Sequence, residues 1–326
     1  MSLEVHRLMK KFGDKTVVDD LSFTMPKPGV YALLGTNGAG KTTSLRMILG
    51  ILSKDSGSVL WKGKPLEVSE CNVGYLAEER GLYPKYTLMD QLIYFAELRG
   101  VSRAEARRRI KEWSDKLDLG EYLYPQKSVA KKGFAFGRGG GGTGTVKLPS
   151  KKAEQLSKGN QQKIQFMAAL ISDPELIVLD EPMSGLDPVN TDLFKSVINE
   201  QIERGKYLIM SSHQMATVEE FCTDITILHR SKTVLQGNLN EIKRGYGRIN
   251  LSLKAEGDIS ACIARSGARI VHKKENEYMI KVTGEEQANA LLGVLIEEKA
   301  TIIRFDLREP SLHEIFVGKV GDAADE

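Results

Sequence analysis

The fold class of the chain is decided by residues 35–42, which read Gly35-Thr36-Asn37-Gly38-Ala39-Gly40-Lys41-Thr42. The stretch follows the apolar run Gly29–Gly35 and opens a helical pattern that ends at Gly50. Its spacing, GxxxxGK[ST] between a strand and a helix, is that of a phosphate-binding loop. Glycines let backbone N–H groups converge on phosphate oxygens, and the helix N-terminus adds partial positive charge. The sequence therefore predicts a nucleoside-triphosphate site.

Two side chains of the loop and two acidic residues supply the expected chemistry. Lys41 is expected to neutralise the β- and γ-phosphates, and the Thr42 hydroxyl to ligate Mg²⁺. Asp180 ends the apolar run Glu175–Asp180, and Glu181 follows it directly. Asp180 can hold Mg²⁺ through water, and Glu181 can polarise the attacking water as a general base. An ordinary acidic pair at a strand end is the alternative interpretation.

Short apolar runs alternate with helical patterns from residue 2 to about 245, which predicts an α/β domain with a mostly parallel sheet. Between about 87 and 172 helices replace the strands; Thr87 and Ser102 are expected to begin two of them. The predicted strands are Gly29–Gly35, Val73–Leu76, Glu175–Asp180, Lys206–Ser211 and Asp224–His229.

The pattern restarts at residue 246 and runs to 318 in the order βαββαβ, which predicts a small ferredoxin-like α+β domain. Residues 243–247 form the expected linker and 319–326 a tail. The three cysteines are far apart in sequence, so a disulfide framework or a cysteine-based zinc site is excluded. With no apolar run of about 18 residues and no signal-peptide pattern, we expect a soluble, cytoplasmic chain.

Residues 125–150 are an insertion of unusual composition. Seven basic and no acidic residues lie between Tyr122 and Ala153, and seven of the twelve residues 133–144 are glycine. The net charge of +3 therefore comes from this stretch, and the rest of the chain is acidic. Residues 133–144 are expected to be too flexible for a stable element. The insertion could be a solvent loop, a contact to anionic lipid or a membrane partner, an RNA contact through Phe134, Phe136 and Arg138, or artificial.

Further motifs give the chain a resemblance to ABC ATPases. Residues 156–162, LSKGNQQ, resemble their signature motif, Ser184-Gly185-Leu186-Asp187 their D-loop, and Ser211-Ser212-His213 their switch histidine. The motifs stand in the family's order and cover residues 2–245 apart from the insertion. The resemblance implies a P-loop ABC ATPase domain at 1–245, with its helical subdomain at about 87–172, and an accessory domain at 246–318.

The resemblance also implies a role for each matching residue. His213 joins Glu181 in catalysis by contacting the γ-phosphate, and Asp187 lies in the D-loop. Glu78 stands where the family usually has a metal-sensing glutamine, so Thr42, Asp180 and Glu78 are the expected metal ligands. A carboxylate accepts from metal-bound water but cannot donate as an amide would. The nucleotide-binding residues implied are Phe12, which would stack on adenine, and Gly35, Thr36, Asn37, Gly38, Ala39, Gly40, Lys41, Thr42 and Thr43. The signature residues, which would cap the ATP of a partner subunit, are Ser157, Lys158, Gly159, Asn160 and Gln161.

Three stretches are similar to the NatA-type ATPases of ABC-2 exporters: Glu78–Pro84, LSKGNQQK and Glu309–Phe316. The resemblance implies ATP and Mg²⁺ as cofactors and an ATP-driven homodimer or heterodimer. It further implies ABC-2 type transmembrane permease subunits as partners and a peripheral place on the cytoplasmic membrane face. Contact with the membrane is expected through the permease, with the insertion 125–150 as a further candidate contact, and no nucleic acid is expected.

A soluble ABC ATPase acting on ribosomes or nucleic acid is the alternative function. Translation-type members usually fuse two ATPase halves, whereas this chain has one phosphate-binding loop and one signature. DNA-repair types carry long coiled coils, and no sustained heptads are visible. A regulatory subunit with an inactive site is disfavoured because Lys41, Asp180, Glu181 and His213 are all present.

Overall fold

The structure is a computed structural model that describes residues 2–79, 81–130 and 143–322. The chain divides into two compact units. Unit 1 comprises Met1–His213 and Arg230–Lys232, and unit 2 comprises Gln214–His229 and Thr233–Glu326. The domain boundary at residue 246 stays a prediction.

Unit 1 begins with an antiparallel sheet that the sequence interpretation did not include. Its strand order is β2-β1-β4-β5. Pairing between β1 and β2 shifts register three times, and Arg7 and Asp20 have positive φ. These irregularities interrupt the period-two apolar pattern that marks a strand, which explains why the pattern was missed. The strands are β1 Leu3–Phe12, β2 Lys15–Met25, β4 Ser56–Trp61 and β5 Lys64–Pro65.

Four parallel strands of unit 1 lie in the order β3-β10-β9-β6. All five residues of β9 are buried, as expected for a strand with a neighbour on each side and both faces covered. The strands are β3 Gly29–Gly35, β6 Val73–Leu76, β9 Leu176–Asp180 and β10 Tyr207–Ser212, and the helices of this region are α1 Lys41–Ile48 and α6 Pro188–Glu203.

The helical part of unit 1 confirms the two predicted N-caps. The Thr87 hydroxyl accepts a hydrogen bond from the Asp90 N–H at 3.2 Å, and the Ser102 hydroxyl accepts one from the Glu105 N–H at 3.4 Å. Each satisfies a backbone donor that the first helical turn leaves unpaired. The helices are α2 Leu88–Leu98, α3 Arg103–Lys116, α4 Gly120–Leu123 and α5 Lys158–Leu170, with a 3₁₀ turn at Ala153–Gln155.

The insertion contains a β-hairpin, which corrects part of the prediction for it. Strands β7 Gln126–Ala130 and β8 Thr143–Lys147 pair antiparallel, from Gln126 opposite Lys147 to Ala130 opposite Thr143. The ladder continues through the Leu148 N–H, which donates to the Pro125 carbonyl at 3.0 Å. Backbone pairing therefore orders both arms, including the first two residues of the 143–147 strand that composition assigned to a flexible run. The remainder of that run, together with Phe134, Phe136 and Arg138, lies outside the described residues.

Unit 2 starts with a short helix and two neighbouring strands. Asn238 caps the following helix by accepting hydrogen bonds from the backbone N–H groups of Asn240 and Glu241. Among the described residues of the chain, none of the helices combines the length and the apolar character needed to span a bilayer. The elements are α7 Met215–Glu219, β11 Asp224–His229, β12 Lys232–Asn238 and α8 Leu239–Tyr246.

The rest of unit 2 has the predicted βαββαβ order. Its antiparallel sheet has the strand order β14-β15-β13-β16, the arrangement of a ferredoxin-like domain. Alternate residues of β13 face a core that includes Leu291 and Leu295 of α10, so one face of the sheet is buried against helices. The elements are β13 Asn250–Ala255, α9 Ser260–Arg265, β14 Arg269–Lys274, β15 Glu277–Lys281, α10 Glu285–Glu297, β16 Ile302–Arg308 and α11 Leu312–Asp322.

Candidate active site

The loop between β3 and α1 has a backbone that requires glycine at one position. Gly40 is the N-cap of α1 and has φ 105°, a conformation that L side chains rarely adopt. A Cβ atom there would lie 2.4 Å from the Val17 carbonyl oxygen, which belongs to β2. Glycine thus allows the start of α1 to pack directly on β2. The N–H groups of the first helical turn are left to face an anion.

Lys41 is held inside the loop that it follows. The side chain is 6% exposed, and its ammonium donates to the carbonyl oxygens of Gly35 at 2.9 Å and Thr36 at 3.3 Å. The same ammonium lies 3.3 Å from Glu181 Oε1. A buried ammonium needs such partners because desolvation of an unpaired charge is costly. The positive charge is therefore fixed next to the acidic pair.

Asp180 joins the loop to the neighbouring strands at their carboxyl ends. The Thr42 hydroxyl donates to Asp180 Oδ1 at 3.1 Å, and the Ser211 hydroxyl donates to the same oxygen at 2.5 Å. Ser211 Oγ also accepts from the Glu181 N–H at 2.9 Å. Burial raises the pKa of Asp180, and the neighbouring Glu181 charge adds to this rise, whereas the two hydroxyls oppose it.

The oxygen atoms around Thr42 fit a divalent cation such as Mg²⁺. Asp180 Oδ2 is buried and has no hydrogen-bond partner among the residues that the structure describes. The adjacent donors are a hydroxyl and carboxylates, the hard oxygen ligands that Mg²⁺ prefers. Glu78 is exposed and lines the same cavity as Thr42. The residue types and their placement are thus suited to a magnesium ion near Asp180.

Glu181 and His213 form a close pair. Glu181 Oε2 lies 2.9 Å from His213 Nδ1 and also accepts from the His213 N–H at 3.4 Å. The Glu181 side chain is 6% exposed, while that of His213 is 40% exposed. Glu181 also has φ 49°, a left-handed conformation that is uncommon for a residue other than glycine. A buried carboxylate beside a partly exposed imidazole is an arrangement that can take up a proton from water and pass it on.

A cavity of 210 Å³ lies between the phosphate-binding loop, Glu78 and Glu181. Ala39 is buried within the loop, and the remaining loop residues, Gly35 and Thr36, contribute the carbonyl groups that hold Lys41. The structure therefore brings the loop, Glu78 and Glu181 to one cavity, and Asp180 contacts Thr42 beside it. The cavity is lined by Val17, Asn37, Gly38, Gly40, Lys41, Thr42, Thr43, Glu78 and Glu181.

Phe12 does not line this cavity. It is the last residue of β1, and it is 52% exposed. The ammonium of Lys10 lies over its ring, 5.5 Å from the centroid. An exposed aromatic ring at a strand end can provide a stacking surface for a planar ligand.

The signature residues 157–161 form the start of α5 and do not line the cavity either. Ser157 is the N-cap and accepts from the Asn160 N–H at 3.3 Å, so α5 begins at Lys158. A Cβ atom at Gly159 would lie 3.8 Å from the Asn190 side chain of α6. Asp187 caps α6 by accepting from the Asn190 N–H at 3.0 Å. The N-termini of α5 and α6 are thus neighbours.

Sequence reasoning missed two residues that hold the site together. Ser211 belongs to the motif Ser211-Ser212-His213, in which only His213 was predicted to act; its hydroxyl, however, connects Asp180 with the Glu181 backbone. Gln162 of α5 donates to the Pro182 carbonyl at 2.7 Å and so ties the signature helix to the residue after Glu181. A small polar residue at the buried end of β10 was the available signal for Ser211, whereas no pattern marked Gln162.

Comparisons with known proteins identify two matching families and several similar chains. The family model described as "ABC transporter" matches residues 18–184, and that of the "ATP-binding protein DrrA1-3-like, C-terminal domain" matches residues 237–320. The chain is 40% identical to the ABC transporter ATP-binding protein YhaQ of Bacillus subtilis, over 98% of each chain.

Two further similarities concern NatA and a solved structure. The chain is 32% identical to the ABC transporter ATP-binding protein NatA of Bacillus subtilis, over 72% of this chain and 88% of NatA. A solved structure described as an ATP-binding subunit of an ABC transporter superposes with a TM-score of 0.62 at 27% identity. That superposition covers 76% of this chain and 93% of the other.

Proposed function

The chain belongs to the ABC transporter ATP-binding family, and we propose that it is the subunit that powers an ABC-2 type membrane exporter. Its identity as an ATP-binding, ATP-hydrolysing subunit of a transporter follows from the family match, from a relative that aligns with 98% of the chain and from a solved structure that covers 76% of it. The alternative of a soluble ATPase acting on ribosomes or nucleic acid finds no support in these similarities.

The exporter type is proposed from three stretches and one relative. The stretches Glu78–Pro84, LSKGNQQK and Glu309–Phe316 are of the NatA type, and NatA itself aligns with most of this chain. We infer that the chain binds ABC-2 permease subunits and reaches the cytoplasmic face of the membrane through them. The insertion 125–150 remains a candidate for a further membrane contact because five basic residues lie within it and two more, Lys151 and Lys152, follow it directly.

The proposed mechanism is carried by one observation: Lys41 and Glu181 meet at the cavity, where Thr42 contacts Asp180 and Glu181 contacts His213. Lys41 exchanges its contact with Glu181 for the β- and γ-phosphates when ATP enters. Thr42, Asp180 and Glu78 would hold Mg²⁺, which would screen the phosphate charge when bound. Glu181 accepts a proton from the attacking water, and the 2.9 Å contact with His213 orients its carboxylate.

The second half of the site is proposed to come from a partner ATPase subunit. Ser157, Lys158, Gly159, Asn160 and Gln161 lie at the N-terminus of α5, where N–H groups and the helix dipole favour an anion. They do not line the cavity of their own chain, so a two-fold dimer lets each signature cap the ATP of the other subunit. Asp187, which caps the neighbouring α6, would then lie close to the same interface.

The experiment that tests the transport role is a pull-down from detergent-solubilised membranes with the tagged, full-length chain. We expect multi-span permease subunits to co-purify and to stimulate ATP hydrolysis when they are added back. A tagged Lys41→Ala chain serves as the matched control, because permease binding should survive the loss of a phosphate ligand. Recovery of ribosomal proteins in place of membrane subunits would contradict the proposal.

A further inference from the structure

Lys10 occupies an unusual place on β1. Leu8, Lys10 and Phe12 alternate along the strand and so share one face, and Leu8 is fully buried. Lys10 is 8% exposed, although lysine is almost never buried without a partner. Its position between the core and Phe12 therefore needs an explanation.

Asp55 supplies the partner for this buried ammonium. Lys10 Nζ donates to Asp55 Oδ1 at 2.9 Å, and the Lys11 N–H donates to Asp55 Oδ2 at 2.7 Å. The Asp55 N–H in turn donates to the Met9 carbonyl at 3.0 Å. The hydrogen bond from Lys10, followed by that from the Lys11 backbone, lowers the pKa of Asp55, so its carboxylate stays charged at neutral pH. The strand pairing of β1 with β4 thus fixes the carboxylate and, through it, the ammonium.

The fixed ammonium is also the neighbour of the Phe12 ring. Lys10 Nζ lies over the ring at 5.5 Å from its centroid, within the range of a cation–π interaction. Phe12 is 52% exposed, so a large part of the ring stays accessible although the ammonium lies over it. A ring held at a strand end in this way is restricted in rotation before any ligand arrives. Such pre-organisation lowers the entropic cost of stacking.

We propose that Lys10, held by Asp55, is a positioning residue for the base of the nucleotide: it fixes the Phe12 ring in the orientation that stacks on adenine. The inference rests on the proposed function, together with the adenine-stacking role that the resemblance to ABC ATPases implies for Phe12. Lys10 acts through Phe12 and not on the phosphates. Its removal weakens the contribution of the base to binding and leaves the contribution of the phosphates unchanged.

The test compares a ligand that has a base with one that lacks it. Calorimetry measures the Kd of ADP and of inorganic pyrophosphate for the full-length chain and for its Lys10→Met, Lys10→Arg, Asp55→Asn and Phe12→Leu variants. We expect Lys10→Met to raise the Kd of ADP about two- to fivefold, the range of one cation–π contact, and to leave that of pyrophosphate unchanged. Asp55→Asn should have a smaller effect in the same direction, and Lys10→Arg should retain the affinity for ADP.

The chain offers a closely matched control in Lys62. Its ammonium pairs with Glu175 at 2.5 Å and lies 5.3 Å from the Trp61 ring centroid, outside the cavity lining. Lys62→Met should change neither Kd. If Phe12→Leu weakens ADP selectively but Lys10→Met and Asp55→Asn do not, the role of Lys10 is wrong while that of Phe12 stands. If Phe12→Leu also leaves the ratio of the Kd of ADP to the Kd of pyrophosphate unchanged, the adenine contact of Phe12 is wrong as well. If Lys10→Met weakens the binding of ADP and of pyrophosphate equally, Lys10 has a structural role only.

Discussion

Each carboxylate oxygen of Glu181 faces a different basic group. Oε1 lies 3.3 Å from the Lys41 ammonium, and Oε2 lies 2.9 Å from His213 Nδ1. The residue has φ 49°, and non-glycine residues in such conformations cost about 1–3 kcal/mol. The hydrogen bond from the Glu181 N–H to Ser211 helps the strand end to hold this conformation. In this backbone conformation the Glu181 side chain lines the cavity.

The first prediction concerns proton transfer by Glu181. Glu181→Gln keeps the shape of the side chain but cannot accept a proton, so we expect ATP turnover to fall by about two orders of magnitude or more. Binding of ATP should persist, because Lys41 and the loop backbone are unchanged. Phosphate release and nucleotide binding measure the two quantities, with Glu203→Gln on the exposed side of α6 as the control. Near-normal turnover of Glu181→Gln would refute the assignment.

A second prediction distinguishes two glycines of the phosphate loop. Gly38 and Gly40 both have positive φ, but a Cβ atom meets nothing within 4 Å at Gly38 and lies 2.4 Å from the Val17 carbonyl at Gly40. Gly38→Ala should therefore lower the free energy of unfolding only by the conformational strain of alanine at positive φ, about 1 kcal/mol, which is the low end of the usual range. Gly40→Ala should cost clearly more, because β2 or α1 must move. Urea unfolding of both variants measures the difference, and equal losses would contradict the argument.

At the level of elements, helix starts were predictable from short-range chemistry. Thr87 and Ser102 were recognised because a capping side chain and the N–H that it accepts are only three residues apart. The limits of β3 and β6 also agree with their apolar patterns. The antiparallel sheet at the N-terminus was missed because its register shifts break the alternation. Local patterns thus predicted regular elements better than irregular ones.

A third prediction separates the structural role of a helix cap from its role in ATP turnover. Ser157 and Ser102 cap α5 and α3 with hydrogen bonds of similar length, 3.3 and 3.4 Å. Ser157→Ala and Ser102→Ala should each lower the free energy of unfolding by about 1 kcal/mol, because one backbone donor loses its partner. Only Ser157→Ala should also lower ATP turnover, since α5 is proposed to cap the partner's ATP. Parallel unfolding and hydrolysis measurements test this, and equal turnover in both variants would count against the signature role.

The whole molecule is proposed to work as a pair of subunits. A single chain has one phosphate loop and one signature, and the signature does not line the cavity of its own chain. In this proposal a second subunit, either a copy of this chain or a related one, completes the site. ATP turnover should then depend on the association of two subunits.

The fourth prediction is an ATP-dependent dimer. With Mg²⁺ and ATP the full-length Glu181→Gln chain should elute at twice the mass that it has without nucleotide, because the closed state is not released by hydrolysis. Light scattering during size-exclusion chromatography measures the mass. Adding Ser157→Ala to this variant should shift the equilibrium towards the monomer, whereas adding Ser102→Ala should not. A mass that is unaffected by ATP at all concentrations would indicate that this chain alone does not form the pair.

The sequence by itself determined the chemistry of the chain, because each motif is a set of neighbours whose spacing is fixed by covalent geometry. Residues 35–42, the Asp180–Glu181 pair and the signature at 156–162 were all recognisable without coordinates. Only the tertiary structure brought Thr42 to Asp180, a hydrogen bond between residues 138 positions apart, and placed Asp55 beside Lys10. These pairings depend on strand order and register, which are set by the packing of the whole sheet and leave no local pattern in the sequence.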